Sequence, residues 1–268
     1  LAGEFADDRL SIGEIAASSV VATGVLGSAV AWAKPTGGVQ FATAPTGLTQ
    51  IGARLRVLSD ARQPVIRVEK YQTDGPSSRF IVYLPGTQNL GAANSNPLDM
   101  RSNLQLLAGQ SSAASRAVDM ALRRAGVGPS DQVMLVGYSQ GGLIATHLAQ
   151  QSRAGQLDYR VEQVVTVGSP IGANSPVSLP RVLSIENKSD FVPHLDLISN
   201  PNAPNWLTLE GNVPADAVQA HEMGSYLQIM RDIEASGEGA SDDEVQRVVN
   251  FATGSATVSY FQLGQGKF

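Results

Sequence analysis

Ser139 lies in the stretch VMLVGYSQGG (133–142), framed by Gly137 and Gly141, in a chain of 268 residues with only three histidines: His147, His194 and His221. A serine hydroxyl is a weak nucleophile until a base takes its proton. An imidazole does this best when a carboxylate fixes its tautomer and orientation. The chemistry these residue types could perform together is acyl transfer through a serine. Other chemistries are poorly provided for. The chain has no cysteine, which excludes a thiol nucleophile, a disulfide framework and thiolate metal sites. It has no HExxH or other ligand-spaced histidine pair and no glycine-rich phosphate cradle, so neither a zinc centre nor a nucleotide cofactor is expected.

The elements around the serine decide whether it is reactive. QVMLVGYS reads as a strand and GGLIATHLAQQSRAG as a helix, with Ser139 at the sharp turn between them. Such a turn strains the serine backbone and leaves no room for side chains two positions to either side, where the glycines stand. The helix that follows aims its free N–H groups and partial positive charge at the site. This pattern resembles the nucleophile elbow of α/β hydrolases. Around it, RFIVYLPG, VEQVVTVGSP and RVLSIEN are apolar, strand-like runs, as a parallel sheet buried on both faces requires. PVIRVEKYQ and ARLRVLS are also read as strands, and SSAASRAVDMALRRAG as a helix with serine caps, closed by Gly126. MGSYLQIMRDIEA and SDDEVQRVVNFATG are read as closing helices. The fold class is therefore α/β: a central, mostly parallel sheet with helices on both faces, in one domain spanning 1–268.

The N-terminal segment is read differently. Residues 15–33, IAASSVVATGVLGSAVAWA, carry no charge, but their Ala, Ser, Gly and Thr content is weak for membrane insertion. Residues 1–40 are expected to be a helical, peripheral segment. KPTGGVQFATAPTG reads as a turn-rich connector, and residues 89–110 as irregular chain.

In the α/β-hydrolase order, an acid and then a histidine follow the serine. His147 sits two turns along the helix after Ser139 and is read as a packed helix residue. His194 follows Asp190 too closely to bond that acid while also reaching the serine. His221, in QAHEMGSYL at a late loop-to-helix junction, is the expected base. The acid belongs just beyond a later strand, where Asp190 stands in RVLSIENKSDFVPHLD; Asp196 and then Asp216 are the rivals. An oxyanion also needs donors. The N–H of Gln140, next to the nucleophile, is one. In FIVYLPGTQ the N–H of Thr87 is the other, with Gln88 next in line.

These motifs resemble two known groups. GYSQGG is similar to the serine motif of cutinases and related secreted actinobacterial-type esterases. VGSPIGAN, SDFVP, HEMGSY and LPGTQ resemble segments of fungal-type (class 3) triacylglycerol lipases. The resemblance covers roughly residues 80–230, motif by motif. It implies a secreted or cell-envelope serine esterase with Ser139, Asp190 and His221 as its triad. Two departures stand out. Cutinases are disulfide-bonded and this chain cannot be, and Tyr138 stands where the lipases usually have histidine.

The expected activity is ester hydrolysis through an acyl-enzyme, on a small-molecule or lipid ester, with no metal or organic cofactor. An acyltransferase, an amidase or a non-catalytic binding domain on the same scaffold are the alternatives. Segments 89–110 and 195–214 are expected to border the pocket, with Trp206, Leu207 and the Leu195–Ile198 run as a candidate acyl site. The net charge of −5 and the absence of a basic block argue against nucleic acid, and the resemblance allows transient contact with a lipid surface.

Overall fold

The computed structural model describes residues 29–90, 95–237 and 239–266. Among the described residues eight strands form the sheet: β1 (Ala31–Thr43), β2 (Val65–Gln72), β3 (Ser78–Leu84), β4 (Gln132–Tyr138), β5 (Arg160–Val167), β6 (Arg181–Asn187), β7 (Trp206–Gly211) and β8 (Ser255–Gln265). Their spatial order is β1-β8-β2-β3-β4-β5-β6-β7. From β3 to β7 each neighbouring pair is parallel. The pairs β1–β8, β8–β2 and β2–β3 are antiparallel. Because the parallel strands share one direction, the loops after β3, β4 and β6 all emerge at one edge, where a site can be assembled from separate segments.

The described residues form seven helices: α1 (Leu48–Asp60), α2 (Met100–Leu107), α3 (Ala113–Arg124), α4 (Gln140–Arg153), α5 (Ala217–His221), α6 (Met223–Ser236) and α7 (Gly239–Val249). Strand alternation feeds two cores. Phe80, Val82 and Leu84 of β3 pack with α3 and α4 on one face, whereas Ile81 and Tyr83 pack with α1 and α6 on the other. Each fully buried side chain of this size contributes about 1.5–3 kcal/mol. The strand ends that carry the site therefore rest on a stiff base.

Several expectations are corrected. Within the expected N-terminal helical segment, residues 1–28 lie outside the described residues, but Ala31–Thr43 is an edge strand. A register shift between Thr36 and Gln40 accommodates Gly37 and Gly38, as edge strands permit. ARLRVLS belongs to α1, not to a strand. Its buried residues Leu48, Ile51, Gly52, Leu55 and Leu58 follow the helical period. Residues 100–107, within the stretch read as irregular, form α2, capped by the Asp99 side chain. Trp206 and Leu207 open β7 at the end of the sheet opposite Ser139. Trp206 is buried in the core and donates to Ser184 Oγ at 3.1 Å, so it lines no acyl site beside the serine.

Candidate active site

Ser139 joins β4 to α4 with φ 52° and ψ −119°, a conformation that a non-glycine residue holds only when its surroundings impose it. Here they do. The Ser139 N–H donates to the Val167 carbonyl at 2.9 Å, and the Gly142 N–H to the Ser139 carbonyl at 3.0 Å. The flanking glycines are required by close approach. A Cβ on Gly137 would lie 2.2 Å from the Gly141 oxygen, and one on Gly141 would lie 2.1 Å from the Leu84 oxygen. Either substitution would force β4, α4 and the end of β3 apart.

His221 is the last residue of α5. Asp216 caps that short helix, its side chain accepting from the Val218 and Gln219 N–H groups at 3.0 and 2.9 Å. The imidazole reaches both partners: Nε2 lies 3.0 Å from Ser139 Oγ, and Nδ1 lies 2.6 Å from Asp190 Oδ2. The Asp190 side chain is fully buried. Burial by itself would raise its pKa. Hydrogen bonds from His221, from the Tyr226 hydroxyl (2.6 Å) and from the Val192 N–H (2.9 Å) outweigh it and hold the carboxyl below the usual aspartate range. Thus Asp190 stays a carboxylate, able to stabilise an imidazolium.

Three supporting residues were not assigned these roles from sequence. Tyr226 sits on α6, five residues after His221, and donates to the same oxygen of Asp190 as the imidazole. Tyr138 stacks on the His221 ring with centroids 5.0 Å apart and planes at 28°, and its hydroxyl donates to the His221 carbonyl. Asn187, buried at the end of β6, donates to the Ala220 carbonyl at 3.0 Å, and its own carbonyl accepts from the Asp190 N–H at 2.8 Å. It ties the acid's turn to the histidine's helix. Only Tyr226 had a sequence signal, its place in HEMGSY. The contacts of Tyr138 and Asn187 depend on the docking of α5.

The rival residues have other tasks. Asp196 is buried and accepts from the Ala173 N–H at 2.9 Å, joining two loops, and Asp216 is the helix cap. His194 is exposed at the end of a 3₁₀ turn. His147 is buried on α4 with Nε2 3.0 Å from Ser111 Oγ, and burial lowers its pKa to about 4. The loop after β3 packs against the serine: a Cβ on Gly86 would lie 3.0 Å from Ser139 Cβ. There, the Gln88 N–H is committed to the Leu98 carbonyl at 2.9 Å. The Thr87 N–H has no partner among the described residues, while its hydroxyl accepts from Asn103 Nδ2 at 2.9 Å.

A mostly parallel sheet covered on both faces, with a strained serine at the strand-to-helix turn of its carboxyl edge, is the α/β-hydrolase fold. No family model and no curated protein matches this chain. Among solved structures, one named as a cell surface hydrolase from Lactobacillus plantarum WCFS1 is similar at 16% identity. The match covers 51% of this chain and 66% of that one, with a TM-score of 0.30. A likeness this slight identifies neither family nor activity. Among the described residues, no helix is long and apolar enough to cross a membrane.

Proposed function

We propose that this chain is a serine ester hydrolase that works through an acyl-enzyme, acting as one domain. The observation that carries the reading is the relay of contacts from Ser139 Oγ to His221 Nε2 at 3.0 Å and from His221 Nδ1 to Asp190 Oδ2 at 2.6 Å. In the first step Ser139 Oγ attacks the ester carbonyl carbon and its proton passes to His221 Nε2. The carbonyl oxygen becomes an oxyanion facing the N–H groups of Gln140 and Thr87. Collapse breaks the bond to the alcohol oxygen, which leaves with the proton from His221. Water then attacks the acyl-enzyme with His221 as base, and the acid departs as Ser139 regains its proton. Asp190 keeps the imidazole in the tautomer that accepts at Nε2.

The acyl half of the ester would lie on the side of the loop after β6, where Phe191, Leu195 and Leu197 are 56%, 49% and 63% exposed. That cluster supports an apolar chain or a lipid-borne ester as substrate. Turnover of p-nitrophenyl esters of increasing chain length tests the reading. The wild type should hydrolyse them and Ser139→Ala should not, and a wild type without ester turnover would refute it.

A further inference from the structure

Beside the triad, on the histidine's side, runs a groove of about 560 Å³ whose lining bears no likeness to the apolar loop after β6. Its lining includes Thr87 in the loop after β3 and Glu222, the residue directly after His221. Tyr138, stacked on the His221 ring, also lines it. The end of α1 and the residues after it contribute Arg56, Asp60 and Arg62. Arg56 Nε lies 3.2 Å from Asp60, both side chains being about half exposed or more. Arg62 and Glu222 are exposed, and neither forms an ion pair among the described residues. Arg62 also holds a left-handed backbone conformation, with φ 48°.

Position assigns the groove to one half of the ester. The leaving alcohol oxygen takes its proton from His221 Nε2 as the bond to the acyl carbon breaks, so the alcohol departs past the histidine. Charge assigns the chemistry. Two guanidinium groups, of Arg56 and Arg62, and two carboxylates, of Asp60 and Glu222, line the groove, and Arg56 is paired with Asp60. An anionic headgroup would meet Asp60 and Glu222, and a cationic one would meet Arg56 and Arg62. A neutral hydroxyl satisfies both kinds of wall, because it donates to a carboxylate and accepts from a guanidinium. We infer that the groove binds the alcohol half of the substrate and that this half is an uncharged, hydroxyl-rich group such as a sugar or other polyol. This inference rests on the ester hydrolase reading and names the substrate class within it: polyol esters of an apolar acid.

The test compares octanoyl glucose with methyl octanoate, which share the acyl chain and differ only in what would enter the groove. Wild type should favour the glucose ester in kcat/KM. In Arg62→Gln and in Asp60→Asn, the ratio of kcat/KM for the glucose ester to that for the methyl ester should fall by about tenfold, the loss of one hydrogen bond to a charged group. Because each ratio is taken within one variant, a partly unfolded sample does not imitate the effect. Hydrolysis of both esters with no preference, or with a ratio unmoved in both variants, overturns the groove assignment and leaves the ester hydrolase standing. A stronger preference for octanoyl glycerol phosphate overturns the neutral-ligand claim. Turnover of neither ester by wild type overturns both readings.

Discussion

Glu69 and Asp190 are both fully buried carboxylates, and they are held in opposite ways. Glu69, on β2, is clamped by cations: Arg54 lies 2.8 Å and Arg67 2.6 Å from its oxygens, and Tyr71 donates at 2.7 Å. Asp190, beyond β6, is held by an imidazole, a phenol and a backbone N–H. The first cluster contains permanent charges and no nucleophile. Burial would lower the pKa of Arg54, but Tyr83 and Glu69 raise it well above the ordinary arginine value. The second cluster leads through a titratable ring to a serine hydroxyl. A buried carboxylate therefore does not mark a reactive site. What matters is whether its partner can carry a proton to and from a nucleophile.

Mutations at the two clusters should separate these roles. The largest effect belongs to Asp190→Asn, which should lower kcat for ester hydrolysis by about 10⁴-fold by disturbing the imidazole tautomer, while the protein stays folded by circular dichroism. Glu69→Ala should do the reverse. It leaves Arg54 and Arg67 without their common counter-charge and should cost about 3–5 kcal/mol in urea unfolding, while the remaining folded protein keeps its activity. If Glu69→Ala proved as inactive as Asp190→Asn while fully folded, the contrast would fail.

A subtler comparison lies within the second cluster. Tyr226→Phe removes one of three donors to Asp190 and should reduce stability at neutral pH by about 1 kcal/mol. The native pKa of Asp190 is depressed, so its stabilisation is present above the unfolded-state pKa and is lost as pH falls through the native value. Without the Tyr226 hydroxyl the native value rises, and acid unfolding measured by tryptophan fluorescence should begin at a higher pH than in wild type. The smallest effect on turnover concerns His147. Its native pKa of about 4 lies below the unfolded value, so wild-type stability should decline from about pH 6.5 to about pH 4 as the unfolded chain takes up a proton that the native state refuses. His147→Gln should flatten that slope in urea titrations and leave ester turnover within about twofold. An inactive, folded His147→Gln would give this histidine a part in catalysis that its burial on α4 contradicts.

How much of this was legible in the sequence follows from how local each feature is. The elbow is local: two glycines, an apolar strand and a helix fix it within ten residues, and the structure places it where the pattern predicts. Asp190 and His221 were legible by order along the chain, because each must stand at the carboxyl edge of the sheet; the structure brings His221 to Ser139 and Asp190 to His221. The α1 helix was misread because ARLRVLS alternates like a strand, and only the longer spacing from Leu48 to Leu58 shows the helical face that meets α6. Strands β1 and β8 pair with each other across more than two hundred residues, and no local pattern announces such a pairing. The contacts of Tyr138 with His221 also escaped, because the residue beside the serine was visible but its stacking partner depends on where α5 docks.

The central claim is that Ser139 is a nucleophile activated by His221. The most direct measurement is labelling with a fluorophosphonate, followed by mass spectrometry of the modified peptide. The account predicts one adduct per chain, located on Ser139, absent in Ser139→Ala and strongly slowed in His221→Ala. A folded wild-type protein that takes up no label, or one that carries it on another serine such as Ser111, would contradict it.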